Sequence, residues 1–397
     1  MIAPPSLARA RWLKAPSLRK VFAAIAAQGG EARVVGGAVR NALLGIAVAD
    51  VDLATTLSPA DVTAASLAAG LIVHPTGIDH GTVTVVADHH PYEVTTLRHD
   101  VETDGRRAKV RFTSDWQADA QRRDFTMNAL SCDERGKIYD FTDGYADILK
   151  RRIRFVGSPS QRIGEDYLRI LRLFRFQARF GKGAPDKAAL AACVRQRKGL
   201  DDLSAERIRQ EMFTLLAAPR AVPTLKLMAK LGILRRLLPY TEHWRVLGRL
   251  PPDPVPRLAV LAADPAGMKE RWRLSNHDAL RIEQLLSQAP PSPLLRRREQ
   301  KAILAHLGTQ AWRDAVTLGW ARSTAPLTDA AWKRLLRLPD RWAVPLLPVS
   351  GHDLIAAGLK PGPEIGAELR KLKDWWVASD FKPGKDELLN RWRKGQR

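Results

Sequence analysis

Two aspartates separated by one residue, Asp50 and Asp52, have a spacing that suggests metal chemistry. The segment Asp50-Val51-Asp52-Leu53-Ala54 is strand-like, and side chains two apart on a strand share one face. Carboxylates that close repel each other unless a cation lies between them. With oxygen ligands alone the ion that fits is Mg²⁺, which also binds phosphate oxygens. The alternative interpretation is a pair of surface aspartates without a metal, and the neighbouring motifs are needed to distinguish the two.

A glycine pair, Gly36-Gly37, lies upstream between the strand-like Arg33-Val34-Val35 and a predicted helix from Ala38 to Leu44. Paired glycines let backbone N–H groups approach a ligand, and a helix N-terminus favours an anion. Arg40, one turn into that helix, can reach a phosphate. The pattern indicates a phosphate-binding turn, with a plain strand-to-helix turn as the alternative.

A third carboxylate, Glu93, lies in Tyr92-Glu93-Val94-Thr95-Thr96, a strand otherwise built for burial. A carboxylate there needs a partner. It is either a salt-bridged sheet residue or a further metal ligand. Together, a phosphate turn, an aspartate pair and a carboxylate on another strand predict two-metal phosphoryl transfer, with Asp50, Asp52 and Glu93 as the catalytic residues.

The elements that must position these residues differ between the two parts of the chain. After residue 165 the sequence consists of amphipathic stretches separated by proline-rich breaks, with little strand character. The pattern predicts an α+β head followed by an all-helical body. In the head, the predicted elements are a helix over 18–27, a helix start at Ser58 with Asp61 three residues on, strands over 82–87 and 92–97, and a mobile loop from Asp100 to Lys109.

The charge distribution separates the same two parts. The chain has 397 residues and a formal net charge of +22. Residues 1–150 carry 17 basic and 18 acidic residues, so the whole excess lies in residues 151–397. Such a field attracts polyanions. Two cysteines give no disulfide framework, and the absence of an apolar signal core or a long apolar run predicts a cytoplasmic protein.

A family resemblance joins these motifs. The first motif of the class II tRNA nucleotidyltransferase and bacterial poly(A) polymerase family resembles Gly36-Gly37-Ala38-Val39-Arg40-Asn41-Ala42-Leu43-Leu44-Gly45, followed by Asp50-Val51-Asp52. Further similar stretches, in family order, are Gly77-Ile78-Asp79-His80-Gly81-Thr82-Val83, Glu93-Val94-Thr95-Thr96-Leu97-Arg98, Arg122-Arg123-Asp124-Phe125-Thr126-Met127-Asn128-Ala129, Arg162-Ile163 with Glu165-Asp166-Tyr167-Leu168-Arg169-Ile170-Leu171-Arg172, and Glu206-Arg207-Ile208-Arg209-Gln210-Glu211. The family usually has Asp at the position of Asn41 and Pro at that of Ala108.

The resemblance implies a polymerase-β-like nucleotidyltransferase head over 1–150, a helical neck over 151–220, a helical body over 221–290 and a helical, tRNA-binding tail over 291–397. It implies template-independent addition of C, C and A to the tRNA 3′ end from CTP and ATP, with Mg²⁺ and release of pyrophosphate. Asp50 and Asp52 match the metal ligands, and Glu93 matches the third carboxylate. The nucleotide-binding residues that it implies are Gly36, Gly37, Arg40, Arg122, Arg123, Asp124, Asn128, Asp166, Arg169 and Arg172.

Asp166 and Arg169, which match the base-selecting pair, have a chemistry that suits the choice of C and A. Residues three apart on a helix share a face, and Asp166 accepts hydrogen bonds while Arg169 only donates them. Cytosine and adenine both present an amino donor beside a ring-nitrogen acceptor, whereas uracil and guanine invert that order. Movement of the loop from Asp100 to Lys109 is the hypothesis for the change from C to A.

Three alternatives remain at this stage. A poly(A) polymerase or an enzyme that adds only A shares every head motif. A non-catalytic RNA-binding protein on the same scaffold is disfavoured by the intact carboxylates. A metal-dependent phosphohydrolase would need a His/Asp cluster in the helical half, where histidines are scattered. Arg296-Arg297-Arg298 in the tail are candidate phosphate contacts.

Overall fold

The computed structural model describes residues 3–78, 81–104, 107–287 and 289–395, with backbone alone over 100–104 and 107–110. Asp79 and His80 of the second family motif lie outside the described residues. The chain divides into two compact units, Met1–Pro239 and Tyr240–Arg397. Every helix within the described ranges is too short or too polar to span a lipid bilayer.

A seven-stranded mixed sheet forms the centre of the first unit. Its strand order is β3-β4-β5-β2-β1-β8-β9, and β2 and β5 run parallel while the other neighbours are antiparallel. These strands are β1 Ala32–Val35, β2 Asp52–Thr55, β3 Ile72–His74, β4 Thr82–Ala87, β5 His90–Thr96, β8 Ser131–Cys132 and β9 Ile138–Tyr139. A separate two-stranded sheet contains β6 Arg98–Asp104 and β7 Arg107–Phe112.

Among its described residues, the first unit also contains eleven α-helices. They are α1 Pro16–Ala27, α2 Gly37–Leu43, α3 Pro59–Ala68, α4 Trp116–Gln121, α5 Gly144–Leu149, α6 Pro159–Glu165, α7 Leu168–Arg179, α8 Lys187–Gln196, α9 Ala205–Leu216, α10 Ala221–Lys230 and α11 Leu234–Leu237. Of these, α1 to α5 lie in the chain before or between the strands or just after the last strand, and α6 to α11 follow them. The helix predicted over 18–27 is confirmed as α1, and its apolar face, which includes Leu18, Val21 and Ile25, is fully buried. The predicted start of α3 is also confirmed, because the Asp61 N–H donates to the Ser58 hydroxyl (3.2 Å).

The described part of the segment from Asp100 to Lys109, residues 100–104 and 107–109, forms strands, so the prediction of a loop is wrong there, and Gly105 and Arg106 lie outside the described residues. Strands β6 and β7 pair antiparallel, and the pairing closes at Asp104 opposite Arg107. Asp104-Gly105 is a sequence typical of a tight hairpin turn, and Val101 and Thr103 have the β-branched side chains that strands favour. The charged residues between them hid that pattern. The hypothesis that this hairpin moves between additions stays a prediction.

The second unit is helical, as the sequence predicts. Its helices are α12 Trp244–Arg249, α13 Pro254–Leu261, α14 Met268–Arg271, α15 Asn276–Ser287, α16 Arg297–Arg322, α17 Ala330–Leu336, α18 Leu338–Arg341, α19 Gly351–Ala356, α20 Glu364–Ala378 and α21 Lys385–Gly395. Helix α16 is interrupted at Gly308, whose φ of 76° and ψ of 171° are accessible only to glycine. One buried cluster, around Leu304, Trp312 and Leu335, packs α16 against α17.

Candidate active site

Two of the predicted catalytic carboxylates, Asp52 and Glu93, lie on adjacent strands at the centre of the mixed sheet, and Asp50 precedes the first of these strands. Asp52 is the first residue of β2, and the parallel pairing of Leu53 with Val94 sets Asp52 beside Glu93. Leu53 and Val94 are buried, so Asp52 and Glu93 point to the opposite face of the sheet, where both are exposed although Ala54 on the same face of β2 is buried. The prediction that Glu93 lies in a strand otherwise built for burial is confirmed, because Tyr92, Val94 and Thr96 are buried while Glu93 itself is exposed.

Asp50 lies just outside the strand, which the sequence predicted to begin there. Strand β2 begins at Asp52 because its partner β1 ends at Val35, opposite Asp52, and the chain then turns at Gly36. Asp50 still acts on Asp52 through space. Although the Asp52 side chain reaches solvent, partial desolvation raises its pKa, and the negative charges of Glu93 and Asp50 raise it further.

This crowding is the observation that tests the fit of a divalent cation. Three carboxylates whose charges disfavour one another are relieved by a cation between them, and oxygen donors suit Mg²⁺. Among the described residues, no group of three or more His, Cys, Asp or Glu side chains lies close enough together to hold a metal ion, so Asp50, Asp52 and Glu93 are near one another without forming a ready three-carboxylate site.

The glycine turn forms one wall of a cleft beside these carboxylates. Gly36 has a φ of 67° and a ψ of −115°, and α2 begins at Gly37. A side chain at Gly36 would meet the cleft, since a Cβ there would lie 3.6 Å from Arg123 Nη1. Glycine is therefore required by the backbone conformation, whereas a Cβ would meet Arg123 only at ordinary van der Waals distance. The positive charge of Arg123 acts to lower the pKa of Asp52, so this arginine is close to Asp52 as well as to the glycine turn.

Arg40 is buried and is held by amides. It donates to Asn128 Oδ1 (2.6 Å) and, through Nε and Nη2, to Asn41 Oδ1 (3.2 and 2.9 Å). Its guanidinium also lies over the Phe180 ring, 4.4 Å from the centroid. Burial and the neighbouring charges of Arg179 and Arg175 lower the pKa of Arg40 to about 10. A multiply charged anion in the cleft would relieve this positive field.

Asp124 is the best-satisfied polar group of the cleft. It accepts a bidentate pair from Arg172, with Nε at 2.7 Å, and further hydrogen bonds from the Phe125 N–H (2.8 Å) and Asn128 Nδ2 (3.2 Å). Burial acts to raise the pKa of Asp124, but the Arg172 charge and these hydrogen bonds outweigh it and hold the pKa below its ordinary value. Asp124 is therefore ionised at neutral pH and is fixed in orientation.

Asp124→Asn should destabilise the fold at neutral pH and much less in acid. Because the pKa of Asp124 is lower in the folded than in the unfolded chain, its charge stabilises the fold above the unfolded value of about 4. That contribution is lost as the pH falls through the lowered folded pKa. Melting temperatures of both proteins, measured from neutral pH downward, should converge on acidification. A constant difference over the whole range would contradict the assignment.

Asp166 and Arg169 both line the cleft, but they do not share a helix. Asp166 is extended, with φ −159°, and lies between α6 and α7, so the predicted three-residue helical spacing is wrong. Asp166 accepts from the Leu168 N–H (3.0 Å) and from Arg207 Nη2 (2.7 Å). Arg169 donates to Glu165 and to the backbone oxygen of Arg162 (2.9 Å). The two side chains therefore have separate partners, and an ordinary salt bridge between them is not formed.

All ten predicted nucleotide-binding residues border one cleft of about 540 Å³, which lies within the first unit. Sequence reasoning assigned no role here to four further lining residues, namely Leu168, Arg175, Phe176 and Arg207. Arg207 belongs to the last family motif, and that motif could have predicted a role for it in the site. Seven arginines and only two aspartates line the cleft, so it suits a triphosphate.

Carboxylates on adjacent central strands beside an arginine-lined cleft are features typical of a nucleotidyltransferase. Residues 32–154 match the family model "Poly A polymerase head domain", and residues 184–245 match "Probable RNA and SrmB- binding site of polymerase A". The chain belongs to the family of CCA-adding tRNA nucleotidyltransferases. It is 37% identical over 383 residues to the mitochondrial CCA tRNA nucleotidyltransferase 1 of Danio rerio, a match that covers 91% of this chain and 86% of that protein.

Bacterial relatives and a crystal structure agree with this family. The CCA-adding enzyme of Lacticaseibacillus paracasei is 32% identical over 392 residues, 91% of each chain. The crystal structure of the Bacillus stearothermophilus CCA-adding enzyme in complex with CTP superimposes with a TM-score of 0.79 at 29% identity, and the match covers 96% of this chain and 98% of that one. The predicted fold class, an α+β polymerase-β-like head followed by helices, is confirmed.

Proposed function

We propose that this protein adds C, C and A to the 3′ end of tRNA from CTP and ATP, without a nucleic-acid template, and releases pyrophosphate. The observation that carries the proposal is that all ten candidate nucleotide-binding residues border one cleft beside Asp50, Asp52 and Glu93. The names of the relatives, which are CCA-adding enzymes of matching length, support the same reaction.

In this proposal Asp50 and Asp52 hold Mg²⁺, with Glu93 beside them. When bound, Mg²⁺ supplies charge stabilisation for the attacking hydroxyl and the leaving pyrophosphate. Arg40 and Arg123 bind the triphosphate from the side of the Gly36-Gly37 turn. Asp124, which Arg172 fixes, accepts a hydrogen bond from the ribose hydroxyl. These groups place the α-phosphate next to the carboxylates, where the tRNA 3′ hydroxyl must attack.

Asp166 and Arg169 are proposed to read the base. Each carboxylate oxygen of Asp166 accepts one hydrogen bond and keeps a second lone pair for the amino group of cytosine or adenine. Arg169 uses Nη1 for Glu165 and the Arg162 backbone, which leaves other N–H groups for the ring nitrogen. Uracil or guanine would bring acceptor to acceptor and donor to donor.

The sequence that the protein adds to the tRNA 3′ end distinguishes this function from the alternative functions. The protein is incubated with Mg²⁺ and tRNA that ends before CCA, together with CTP, ATP or both, and the 3′ ends are sequenced. The proposal expects CC with CTP alone and CCA with both nucleotides. A run of A residues would identify a poly(A) polymerase, addition of A only to tRNA ending in CC would identify an A-adding enzyme, and no extension would favour a non-catalytic RNA-binding protein.

The second unit is proposed to bind tRNA through phosphates. A small cleft of about 130 Å³ in this unit is lined by three arginines, Arg297, Arg334 and Arg341. Of the candidate phosphate contacts in the tail, Arg297 lines this cleft, and Arg296 and Arg298 do not. No acidic side chain belongs to the lining of this cleft, all of which lies within the described range 289–395.

The cytoplasmic location, the four-domain division and the Mg²⁺ requirement stay predictions of the sequence.

Replacing Arg297, Arg334 and Arg341 together by alanine should weaken tRNA binding and reduce its salt dependence. Each lost phosphate contact should lower the slope of log K against log salt by about 0.7 to 0.9. Binding to tRNA is measured between low and physiological salt. A control variant replaces three exposed arginines elsewhere in the unit, Arg322, Arg370 and Arg393. Equal slopes in the two variants would contradict a role for this cleft.

A further inference from the structure

One buried carboxylate, Asp119, holds the two consecutive arginines of the nucleotide cleft. It lies on α4, and its side chain is 4% exposed. Asp119 Oδ1 accepts from Arg122 Nε (2.8 Å) and Nη2 (2.6 Å). Asp119 Oδ2 accepts from Arg123 Nε (3.2 Å) and Nη2 (2.9 Å). Each oxygen therefore holds one guanidinium by a charge-assisted fork.

This arrangement directs two side chains that the local backbone would separate. Neighbouring residues on a helical turn do not face the same way, yet Arg122 and Arg123 both line the cleft. Asp119 occupies the Nε edge of each guanidinium. For Arg123 this leaves Nη1 directed at the turn, 3.6 Å from a Cβ position on Gly36. Asp119 itself does not line the cleft.

The charges support the same conclusion. Two guanidinium groups on adjacent residues repel each other, and a carboxylate between them removes that penalty. Burial acts to raise the pKa of Asp119, but the charges of Arg123 and Arg122 and their hydrogen bonds outweigh it, so the pKa is lowered. Asp119 is therefore ionised at neutral pH, and it leaves one net positive charge on the pair of arginines.

We propose that Asp119 is a positioning residue for the triphosphate. It does not touch the nucleotide, and it acts by fixing Arg122 and Arg123 so that their remaining N–H groups meet the phosphates. The inference rests on the proposed function, since it assumes that a nucleoside triphosphate occupies this cleft.

The test compares a ligand that has phosphates with one that lacks them. In Asp119→Asn the side chain keeps its shape but has one acceptor oxygen instead of two, so one of the two forks is lost. The proposal expects the Kd for CTP to rise about tenfold or more, the effect of losing a charge-assisted hydrogen bond. Cytidine, measured as a competitor of CTP, should bind as it does to the wild type, and its binding also reports that the variant is folded.

A control and a double variant separate positioning from a structural role. Asp115 caps the same helix by accepting from the Gln117 N–H (2.8 Å) and contacts neither arginine. Asp115→Ala should lower the melting temperature and leave the Kd for CTP unchanged. In a background of Arg122→Ala and Arg123→Ala, Asp119→Asn should cause no further loss of CTP affinity, because the residues through which it acts are gone.

Two results would overturn the inference: an unchanged Kd for CTP in Asp119→Asn, or equal losses for CTP and cytidine. If Asp119→Asn does not fold, Arg123→Lys takes its place. Lysine keeps the charge beside Asp119 but has no fork to be oriented, so undiminished CTP affinity in that variant would also overturn the inference. If the wild type itself neither binds CTP nor extends tRNA, it is the proposed function that fails.

Discussion

Asp52→Asn is expected to lower kcat for nucleotide addition by about 10³-fold or more, the scale for losing charge stabilisation at the reacting phosphate. The asparagine keeps the shape of the side chain and removes the charge that the metal needs. Thermal stability should not fall, and without metal it should rise slightly, because the repulsion of Asp52 by Glu93 and Asp50 is removed. Loss of activity together with unchanged or increased stability is the signature of a metal ligand.

A matched control uses another exposed aspartate of the same sheet. Asp88 lies in the turn between β4 and β5 with a φ of 49°, a conformation that asparagine also tolerates. Asp88→Asn should keep wild-type kcat. Manganese affinity, measured by titration of each variant, should fall only for Asp52→Asn. An Asp52→Asn enzyme that still extends tRNA at the wild-type rate would remove the metal assignment, and with it the two-metal reaction.

Asp166→Ala is expected to lower the preference for CTP over UTP by about 100-fold or more. In the wild type the O4 carbonyl of uracil would face the Asp166 carboxylate, and a buried mismatch of this kind costs several kcal/mol. Alanine removes the repelling acceptor, so UTP gains relative to CTP. The measurement is the ratio of kcat/KM for the two nucleotides with tRNA that ends before CCA.

The control for Asp166→Ala loses a contact of the same kind. Asp201 is an exposed aspartate that forms an ion pair with Arg236 at 2.8 Å, as Asp166 does with Arg207 at 2.7 Å. Asp201→Ala should leave the nucleotide preference unchanged. Metal affinity should stay at the wild-type value in both variants. If Asp166→Ala still rejects UTP as the wild type does, base selection lies elsewhere in the cleft.

The local parts of the site could be predicted because they depend on short-range rules. A glycine pair between a strand and a helix, and aspartates at a spacing of two, have meanings that hold before any tertiary contact forms. The position of Asp52 beside Glu93 required more, since it depends on β2 and β5 being neighbours. The sequence grouped Glu93 with the aspartates because it is a carboxylate in a strand of otherwise apolar and β-branched residues, and the family resemblance supported that grouping.

The wrong predictions arose where a local pattern was ambiguous or where a contact joins residues far apart in the chain. The hairpin β6–β7 was missed because charged residues outweighed its β-branched positions and turn sequence. The helical spacing assigned to Asp166 and Arg169 was wrong because α6 and α7 are separated by an extended residue. The contact of Arg207 with Asp166 joins residues 41 apart in the chain, and no local pattern encodes such a contact. Likewise, the role proposed for Asp119 could be inferred only from the structure, in which Arg122 and Arg123 both donate hydrogen bonds to it.

The seven arginines of the cleft have a consequence for turnover. A pocket whose buried Arg40 donates its hydrogen bonds to amide oxygens attracts any compact polyanion, not only an incoming nucleotide. The leaving group of each step is such a polyanion. Pyrophosphate is therefore a competitor for the next substrate, and product inhibition is built into the same charges that make binding strong. Three successive additions will proceed fastest where a hydrolase keeps the concentration of pyrophosphate low.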